Sequence, residues 1–273
     1  MDNDPNLWVR KFPFPQKTQH KYNRGHVVVS GGGVECTGAA CLAAKAALRA
    51  GAGLVTILSP WDALAIYAAK LNSVMAKPFN NIDEFKEFIQ DSRKNTVLIG
   101  PGNGVNELTA QKLRAALYLG KNCVIDADAI TIFQGRSQEL FQLIKSPTII
   151  TPHEGEFKSL FNISGSREAQ AKEAARQSGA VIVFKGSDTV IAAPDGRLVI
   201  NRNAPPHLAT AGSGDVLAGI IAGIMASNMD YFWAACSAVW LHSKAAELVG
   251  IGLIADDLTS KLPDALKYLY QHH

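Results

Sequence analysis

The chain alternates short runs of apolar residues with longer stretches in which small and apolar residues recur at helical spacing. The short runs are rich in Val, Ile and Leu and stop at a glycine or a polar residue, which is typical of strands in a parallel sheet. The predicted strands are 26–30, 53–58, 96–99, 122–125, 148–151 and 181–184, and the predicted helices are 37–50, 62–71, 107–119 and 168–178. This alternation predicts an α/β fold, in which helices cover both faces of a mostly parallel sheet.

The last third of the chain departs from this alternation. Residues 189–193 and 197–200 flank Asp195-Gly196 and predict a β-hairpin, because this dipeptide favours tight hairpin turns. Two helices follow, over 214–226 and 231–249, and both are apolar on nearly all sides. We therefore expect these two helices to be buried against the sheet.

Composition and charge narrow the class of protein. Residues 1–24 contain three prolines and mixed charges without periodicity, which predicts an N-terminal arm before a single domain over 25–273. The net charge of +3 comes from 27 basic and 24 acidic residues interspersed along the chain, which favours neither nucleic acid nor a membrane as partner. The four cysteines have no zinc-ligand spacing, and the N terminus is polar, so we expect a reduced, cytoplasmic protein with a small-molecule partner.

Glycines and polar residues follow the predicted strands at the points where the strands end. Because the carboxyl ends of parallel strands meet at one edge of a sheet, we expect these residues to converge on one site. They are Gly31-Gly-Gly33, Gly100-Pro-Gly102, Asp126-Ala-Asp128, Thr151-Pro-His153 with Glu156, and Lys185-Gly-Ser-Asp-Thr189. Gly31–Gly33 does not complete a G-x-G-x-x-G motif, and no acid stands where it would hold a ribose, so a Rossmann NAD site is disfavoured.

The strongest motif is Ala211-Gly-Ser-Gly-Asp215, at the start of the helix predicted over 214–226. Glycines allow consecutive backbone N–H groups to surround an anion, and the N terminus of a helix adds its positive dipole. Asp215 would lie ionised in the first turn, where it could take a proton from a hydroxyl while the N–H groups hold a phosphoryl group. The alternative is a helix cap and a glycine turn without a ligand.

The other polar residues at this edge are less specific. Lys185-Gly-Ser-Asp-Thr189 offers a cation and side-chain contacts to a ribose or phosphate, although such turns are also common on protein surfaces. His153 is either a hydrogen-bonded structural residue or a ligand contact. Asp126 and Asp128 are candidates for holding Mg²⁺ or orienting water, and are equally suited to capping a helix that begins at Ala129.

Seven segments become specific when they are considered together and in their order along the chain. They are Thr37-Gly-Ala-Ala40, Ala46-Ala-Leu-Arg-Ala-Gly-Ala-Gly-Leu-Val55, Gly100-Pro-Gly102, Asp126-Ala-Asp-Ala129, Thr151-Pro-His-Glu-Gly-Glu-Phe157, Val183-Phe-Lys-Gly186 and Ala209-Thr-Ala-Gly-Ser-Gly-Asp-Val-Leu-Ala-Gly219. This set resembles the ADP/ATP-dependent NAD(P)H-hydrate dehydratase family, a branch of the ribokinase-like superfamily. The resemblance extends from about Gly25 to Leu266. It implies a ribokinase-like fold of three layers, α/β/α.

The resemblance also implies a repair reaction on a damaged cofactor. ADP or ATP phosphorylates the ring hydroxyl of the S epimer of hydrated NADH or NADPH, and loss of phosphate restores the reduced cofactor. Matching positions imply that Ala39, Gly102, His153 and Asp215 contact the hydrated cofactor, with Asp215 as the catalytic base, and that Lys185, Gly186, Ser187, Asp188, Thr189 and Gly214 hold the nucleotide. Glu156 resembles an acid that helps to place Mg²⁺ through water.

Further properties of the family become expectations for this chain. Bacterial relatives suggest ADP as the nucleotide and a homo-oligomer. Many relatives carry an N-terminal epimerase domain for which this chain is too short, so we expect a separate NAD(P)H-hydrate epimerase to supply that activity. The family usually has Gly-Gly-Thr-Gly-Asp where this chain has Ala211-Gly-Ser-Gly-Asp215, and Pro205-Pro206 replaces a more usual Asn-Pro. These small residues should preserve the anion site, while the choices between ADP and ATP, and between NADH and NADPH hydrate, stay open.

Two other functions would use the same features. A ribokinase-like kinase acting on a vitamin precursor or a sugar would need the same Gly-Ser-Gly-Asp site. A nucleotide-binding sensor without turnover belongs to a different class. The segments Thr37–Ala40 and Thr151–Glu156 favour the dehydratase, and Asp215 beside an anion site has no role in a sensor.

Overall fold

The structure is a computed structural model and describes residues 1–18 and 20–272. The strands of the described residues are β1 His26–Ser30, β2 Leu54–Pro60, β3 Met75–Phe79, β4 Thr96–Ile99, β5 Asn122–Ile125, β6 Thr148–Ile150, β7 Val181–Phe184, β8 Thr189–Ala192 and β9 Leu198–Asn201. They form one sheet with the spatial order β3-β2-β1-β4-β5-β6-β7-β8-β9. All pairs from β3 to β7 are parallel, and β8 and β9 are added antiparallel, so the predicted α/β class and hairpin are confirmed.

The sequence pattern misses strand β3. It lies at the edge of the sheet, and its first four residues are exposed or partly exposed, so it contains no apolar run. Pro78 within it cannot donate to a strand ladder, which also argues against a strand when only the sequence is considered. Periodicity therefore does not reveal this edge strand.

The helices are α1 Thr37–Arg49, α2 Leu64–Lys70, α3 Ile82–Gln90, α4 Glu107–Tyr118, α5 Asp128–Thr131, α6 Ser137–Leu143, α7 Glu154–Leu160, α8 Arg167–Ser178, α9 Ser213–Ala226, α10 Tyr231–Val249 and α11 Ala255–His272. All six predicted helices are present. Helices α3, α6, α7 and α11 occupy stretches for which the pattern predicts no element, and α5 corresponds to the helix considered at Ala129. Most of these are too short for an amphipathic period to emerge, and α11 contains Pro263, which ordinarily marks the end of a helix.

Side chains alternate between the two faces of the sheet. On β1, Val27 and Val29 belong to one hydrophobic core, and Val28 belongs to the other. Helices α1, α9, α10 and α11 pack into the first core, and α3, α4, α6, α7 and α8 pack into the second. This is the three-layer α/β/α arrangement that the resemblance implies. In the described residues, no helix is both long and apolar enough to cross a bilayer.

Helices α1 and α9 approach each other through small residues. A Cβ atom on Gly219 would lie 2.2 Å from the carbonyl oxygen of Ala43, and one on Gly223 would lie 2.4 Å from that of Ala47. Only glycine fits at these two positions, because any side chain would collide with the backbone of α1. The contact fixes the start of α9 relative to α1, which carries Ala39 in its first turn.

The beginning of the predicted N-terminal arm packs along strand β9. The backbone of Asn3 donates to the carbonyl of Ile200, and the N–H of Ile200 donates to the carbonyl of Met1. The Asn3 side chain donates to Asn201 at 2.9 Å and accepts from the indole N–H of Trp8 at 3.1 Å. Trp8 itself is fully buried, so this part of the arm contributes to the core.

Candidate active site

Five parallel strands bring their carboxyl ends to one edge of the sheet. These strands are β1, β4, β5, β6 and β7, and the glycine-rich and polar loops described above follow them. β1 and β4 are neighbours although β2 and β3 lie between them in the sequence, which opens a crevice between the loops that follow them. The loops that carry the candidate residues are therefore adjacent in space.

Lys185 lies at the centre of a buried cluster of charges at this edge. Its Nζ is 2.8 Å from Oδ1 of Asp126 and 3.7 Å from Oε2 of Glu156. Oδ1 of Asp126 also accepts a hydrogen bond from the Thr151 hydroxyl at 2.7 Å. Burial opposes the charge on Lys185, but attraction by Asp126, Glu156 and Asp215 raises its pKa above the ordinary value. Lys185 is therefore a fixed cation at neutral pH.

His153 is the N-cap of helix α7 and forms a capping box with Glu156. Its Nδ1 accepts from the backbone N–H groups of Gly155 and Glu156, and Oε2 of Glu156 accepts from the backbone N–H of His153 at 2.8 Å. In the neutral ring the proton is therefore on Nε2. The imidazole is 60% exposed and lines two hollows of about 430 and 650 Å³. The structural role of His153 is thus established, and its contact with a ligand stays a prediction.

Helix α9 begins at the glycine-rich motif. Gly212 precedes it with a φ of +83°, a conformation that side-chain-bearing residues rarely adopt. Within the described residues no side chain caps this helix. The N–H of Ser213 donates to the carbonyl of Thr210 at 3.3 Å, and the next N–H groups, those of Gly214 and Asp215, are left to bind an anion. A Cβ atom on Gly214 would lie 3.6 Å from Nζ of Lys185, so the buried cation adjoins the start of the helix.

Asp215 lies in the first turn of α9, where the helix dipole was expected to favour its ionised form. That expectation is wrong in direction, because burial and then repulsion by Asp126 raise the pKa of Asp215 to about 6, against the attraction of Lys185. An aspartate with this pKa is still mostly ionised at pH 7, and it binds a proton more tightly than an ordinary aspartate. The shift therefore improves Asp215 as a general base.

Ala39 and Gly102 lie together at the crevice between β1 and β4. A Cβ atom on Gly102 would lie 3.4 Å from Cβ of Ala39, and one on Gly32 would lie 1.8 Å from the carbonyl oxygen of Gly102. One turn along α1 from Ala39, Cδ1 of Leu42 lies 2.8 Å from the position that a Cβ on Gly212 would take. The crevice and the start of α9 are therefore neighbours.

A cleft of about 650 Å³ opens beside the start of α9, a size typical of small-molecule sites. The loop after β7, the segment before α9, the first turn of α9 and one side of α10 line it. Among the predicted nucleotide contacts, Lys185, Gly186, Ser187, Thr189 and Gly214 line this cleft. Pro205, Pro206 and Leu208 form an apolar part of its wall.

Two arginines hold the loop after β7 from outside the cleft. Asp188 is absent from the described lining, and its carboxylate faces Arg202, with Nε and Oδ2 3.6 Å apart. Arg167 donates to the carbonyl oxygens of Phe184 and Lys185 at 3.2 and 3.0 Å, and its guanidinium lies 3.7 Å above the Phe184 ring. The sequence alone does not indicate either role, because both depend on packing between distant elements.

The carboxylates considered for Mg²⁺ are engaged by protein groups. Oδ2 of Asp128 accepts from the backbone N–H of Gly104 at 2.8 Å, so Asp128 joins two loops of the sheet edge. Asp126 pairs with Lys185, and one oxygen of Glu156 accepts from a backbone N–H. In residues 1–18 and 20–272, no group of three or more His, Cys, Asp or Glu side chains could hold a metal. The donor set fits Mg²⁺ that is held by phosphate oxygens and water, rather than by a protein cage.

Sequence reasoning misses two polar residues that line the large cleft, Ser213 and His242. Ser213 is the first residue of α9, and its Oγ is 3.1 Å from Nε2 of His242 on α10. Burial lowers the pKa of His242 to about 4, so the ring is neutral. The available signal was a histidine in an otherwise apolar helix, which predicts burial without naming a partner.

Comparison with known proteins adds to this geometry. The profile of the NAD(P)H-hydrate dehydratase family matches residues 27–265. The chain belongs to the NAD(P)H-hydrate dehydratase family. The match includes every candidate site residue, so the resemblance found in the motifs is confirmed for the chain as a whole.

Two relatives show how far the family resemblance extends. The ADP-dependent (S)-NAD(P)H-hydrate dehydratase of Xanthomonas campestris is 31% identical over 282 residues, with 96% of this chain and 94% of the relative covered. The bifunctional NAD(P)H-hydrate repair enzyme of Salinibacter ruber is 33% identical over 272 residues, with 92% of this chain and 50% of the relative covered. The chain therefore spans about half the length of the bifunctional relatives it matches.

Two solved structures share the fold of this family member. The ADP/ATP-dependent NAD(P)H-hydrate dehydratase of Bacillus subtilis, co-crystallized with ATP/Mg²⁺, has a TM-score of 0.83 and 29% identity, with 96% of each chain covered. A ribokinase-like superfamily protein from Enterococcus faecalis has a TM-score of 0.84 and 27% identity, with 94% of this chain and 92% of that chain covered. The predicted ribokinase-like fold is thereby confirmed.

Proposed function

We propose that this family member converts the S epimer of hydrated NADH or NADPH back to the reduced cofactor, using a phosphate of ADP or ATP. One observation carries the proposal. Asp215, with a pKa of about 6, lies at the start of α9, next to the Lys185 cation and between a nucleotide-sized cleft and a separate crevice. Such a site suits a phosphoryl donor on one side and a hydroxyl acceptor on the other.

The nucleotide is proposed to bind in the cleft of about 650 Å³ beside the loop after β7. Its terminal phosphate would lie against the first N–H groups of α9, where the helix dipole favours an anion. Lys185 supplies a neighbouring positive charge that burial does not neutralise. The apolar wall that includes Pro206 and Leu208 suits the base. We propose that Asp188, which does not line the cleft, contacts the nucleotide at the outer side of the same loop.

The hydrated ring is proposed to bind in the crevice at Ala39 and Gly102, with His153 at the rim. A Cβ atom on Gly102 would lie 2.8 Å from the carbonyl oxygen of Cys36, so glycine lets this loop approach the start of α1 closely. Asp215 accepts the proton of the ring hydroxyl as the hydroxyl oxygen attacks the terminal phosphorus. The N–H groups at the start of α9 stabilise the charge on the phosphoryl oxygens during this step.

The proposed chemistry has two steps. In the first, an O–P bond to the ring hydroxyl forms and the bond to the bridging oxygen breaks, so that ATP leaves as ADP, or ADP as AMP. In the second, the lone pair of the ring nitrogen expels phosphate, and a proton lost from the adjacent ring carbon restores the double bond. The products are reduced nicotinamide, inorganic phosphate and the shortened nucleotide.

We also propose that Mg²⁺ accompanies the nucleotide and neutralises charge on its phosphate oxygens. Glu156 would hold this ion through water. Its Oε2 accepts from the backbone N–H of His153, and its Oε1 lies 3.3 Å from Nε2 of His153, so an ion-bound water would share Oε1 with this ring. A Glu156→Gln variant should therefore need a higher Mg²⁺ concentration for half-maximal activity.

Incubation of the protein with hydrated NADH, Mg²⁺ and each nucleotide tests the proposal. Absorbance of the reduced nicotinamide and release of inorganic phosphate are followed together. We expect equal amounts of the two products. A folded protein that restores neither NADH nor NADPH with either nucleotide would refute the proposed function.

The same incubation with hydroxymethylpyrimidine or ribose separates dehydration from simple phosphoryl transfer. These alcohols lack the ring nitrogen beside the hydroxyl-bearing carbon, so no phosphate can be expelled. We expect no stable phosphate ester from them. If an ester accumulates and the hydrated cofactor is untouched, the protein is a kinase, and the assignments of Ala39, Gly102 and His153 lose their basis.

The resemblance leaves two finer proposals, ADP as the preferred nucleotide and a homo-oligomeric assembly. The ratio of kcat/KM for ADP and ATP tests the first. Light scattering on the purified chain tests the second, and a monomer mass at assay concentrations would contradict it.

A further inference from the structure

A buried polar pair lies beside the start of α9 and takes no part in the chemistry proposed above. Ser213 and His242 are each 6% exposed, and Oγ of Ser213 is 3.1 Å from Nε2 of His242. Both residues line the cleft of about 650 Å³. Buried polar groups in a ligand cleft commonly fix the orientation of the ligand.

The position of Ser213 in the sequence makes its hydroxyl part of the anion site. It stands between Gly212 and Gly214, two residues before Asp215. On the other side, Nζ of Lys185 is 3.6 Å from the position that a Cβ on Gly214 would take. An anion on the first N–H groups of α9 would thus have two side-chain donors available, the Lys185 ammonium and the Ser213 hydroxyl.

We infer that the Ser213 hydroxyl donates a hydrogen bond to a phosphate oxygen of the bound nucleotide, and that His242 is the positioning residue that orients this hydroxyl. The identity of the anion as a nucleotide phosphate rests on the proposed function. The contact itself follows from the arrangement of the pair in the cleft.

His242 can hold the hydroxyl in two ways. If Nε2 carries the ring proton, it donates to Oγ, and the Ser213 proton is free to point at the phosphate. If Nε2 lacks the proton, it accepts from Ser213 and turns that proton away from the phosphate. A bound phosphate selects the first arrangement, because both donors then point toward its negative charge and each bond strengthens the next. Burial keeps the ring neutral by lowering its pKa to about 4, so His242 acts through orientation and not through charge.

The affinity for ADP and ATP, measured by calorimetry without the hydrated cofactor, tests the contact directly. Ser213→Ala should weaken nucleotide binding about 10- to 100-fold, the range for loss of one hydrogen bond to a charged group. His242→Leu should weaken it by a similar factor. His242→Gln should retain most of the affinity, because its terminal amide can donate from near the position of Nε2. In steady-state assays the KM for the hydrated cofactor should change less than about twofold.

A double variant separates a shared bond from two independent contributions. Ser213→Ala combined with His242→Leu should bind nucleotide no more weakly than the weaker single variant, because both changes remove the same contact. Additive losses would overturn the positioning role of His242. If His242→Leu does not fold, His242→Asn takes its place, since the shorter amide does not reach the position of Nε2.

Ser237→Ala is the matched control. Ser237 is also a fully buried serine, on α10, and its hydroxyl donates to the carbonyl of Ala234 at 3.1 Å, away from the cleft. Its removal should leave nucleotide affinity unchanged. If Ser213→Ala only lowers the melting temperature, as this control could, the pair is structural and the inference is wrong.

The outcomes also separate this inference from the proposed function. Loss of nucleotide affinity in Ser213→Ala, with a wild-type protein that does not dehydrate the cofactor, supports the phosphate contact and refutes the function. Normal affinity in Ser213→Ala, with an active wild-type protein, refutes the contact and leaves the function standing.

Discussion

Two lysines of this protein, one partly buried and one fully buried, have opposite surroundings. Lys185 lies 2.8 Å from Asp126 at the carboxyl edge of the sheet, and nearby carboxylates raise its pKa in spite of its burial. Lys112 on α4 is 2% exposed, and its Nζ lies 4.8 Å from the centre of the Phe79 ring. Among the described residues no carboxylate pairs with Lys112, and burial lowers its pKa to about 8.

The difference between Lys185 and Lys112 shows that a shielded cation is a candidate functional group when carboxylates surround it. A buried cation without a counter-ion is costly and gives up its proton more easily. At the sheet edge, three carboxylates from separate elements hold the Lys185 cation in place. An arrangement of this kind stabilises an incoming phosphate without further reorganisation. Among the described residues, Lys112 on α4 has no such environment.

The largest expected effect on turnover comes from replacing Asp215, which lies beside Lys185. Asp215→Asn retains the size of the side chain and removes the base, so turnover should fall by about two to four orders of magnitude while nucleotide still binds. Steady-state kinetics on hydrated NADH measure this change. Asp264→Asn, on the surface of α11, is the control and should remain fully active. Near-normal turnover in folded Asp215→Asn would contradict the base assignment.

Replacing each lysine by methionine tests the comparison directly. Lys185→Met should raise the KM for the nucleotide about 10- to 100-fold and leave the KM for the hydrated cofactor little changed, because one charged contact in the ground state is lost. Lys112→Met should change neither value. An effect of Lys185→Met that is confined to the hydrated cofactor would mean that the two subsites are exchanged.

The pH dependence of the reaction should report the raised pKa of Asp215. The base must be ionised, so kcat/KM should be constant above about pH 7 and fall below pH 6, reaching about a tenth of its plateau near pH 5. An aspartate with the ordinary pKa of 3.8 would show no decline in this range. A flat profile between about pH 5 and 7 would therefore show that Asp215 is not the titrating base.

The smallest expected effect is on stability alone. Lys112→Met should raise the free energy of unfolding at pH 7 by about 1 to 3 kcal/mol, because the buried cation no longer has to be accommodated. The folded pKa of about 8 is below the ordinary lysine pKa of 10.5, so the cost is complete below pH 8 and disappears as the pH rises toward 10.5. Urea unfolding of both proteins at pH 7 and at about pH 10 measures the difference. A gain that is the same at both pH values would exclude the charge as its cause.

The inner strands of the sheet could be predicted from the sequence, whereas the edge strand β3 and several helices could not. Strands such as Val181–Phe184 are continuous apolar runs because both faces are buried, whereas Met75–Phe79 at the edge carries exposed residues and a proline. Among the candidate site residues, Asp215 and Lys185 could be predicted because they follow a glycine turn and a strand end.

Contacts between residues that are distant in the sequence are not indicated by any local motif. Lys185 and Asp126 are 59 positions apart, and Ser213 and His242 are 29 apart. Their pairing depends on strand order and helix packing. The same holds for the pKa of Asp215, which burial and Asp126 shift against the direction expected from the helix dipole.

Under the proposed function, the backbone contact of α1 with α9 at Gly219 and Gly223 would align the two substrates. Ala39 in the first turn of α1 and Asp215 in the first turn of α9 belong to a single rigid unit, because the two helices touch without intervening side chains. In the proposed reaction, the distance between the attacking oxygen and the phosphorus would then depend on how these two helices pack. Alanine at either glycine, although far from any reacting atom, would push α1 and α9 apart. The reacting atoms would then be misplaced relative to each other, and the rate of the proposed phosphoryl transfer would fall.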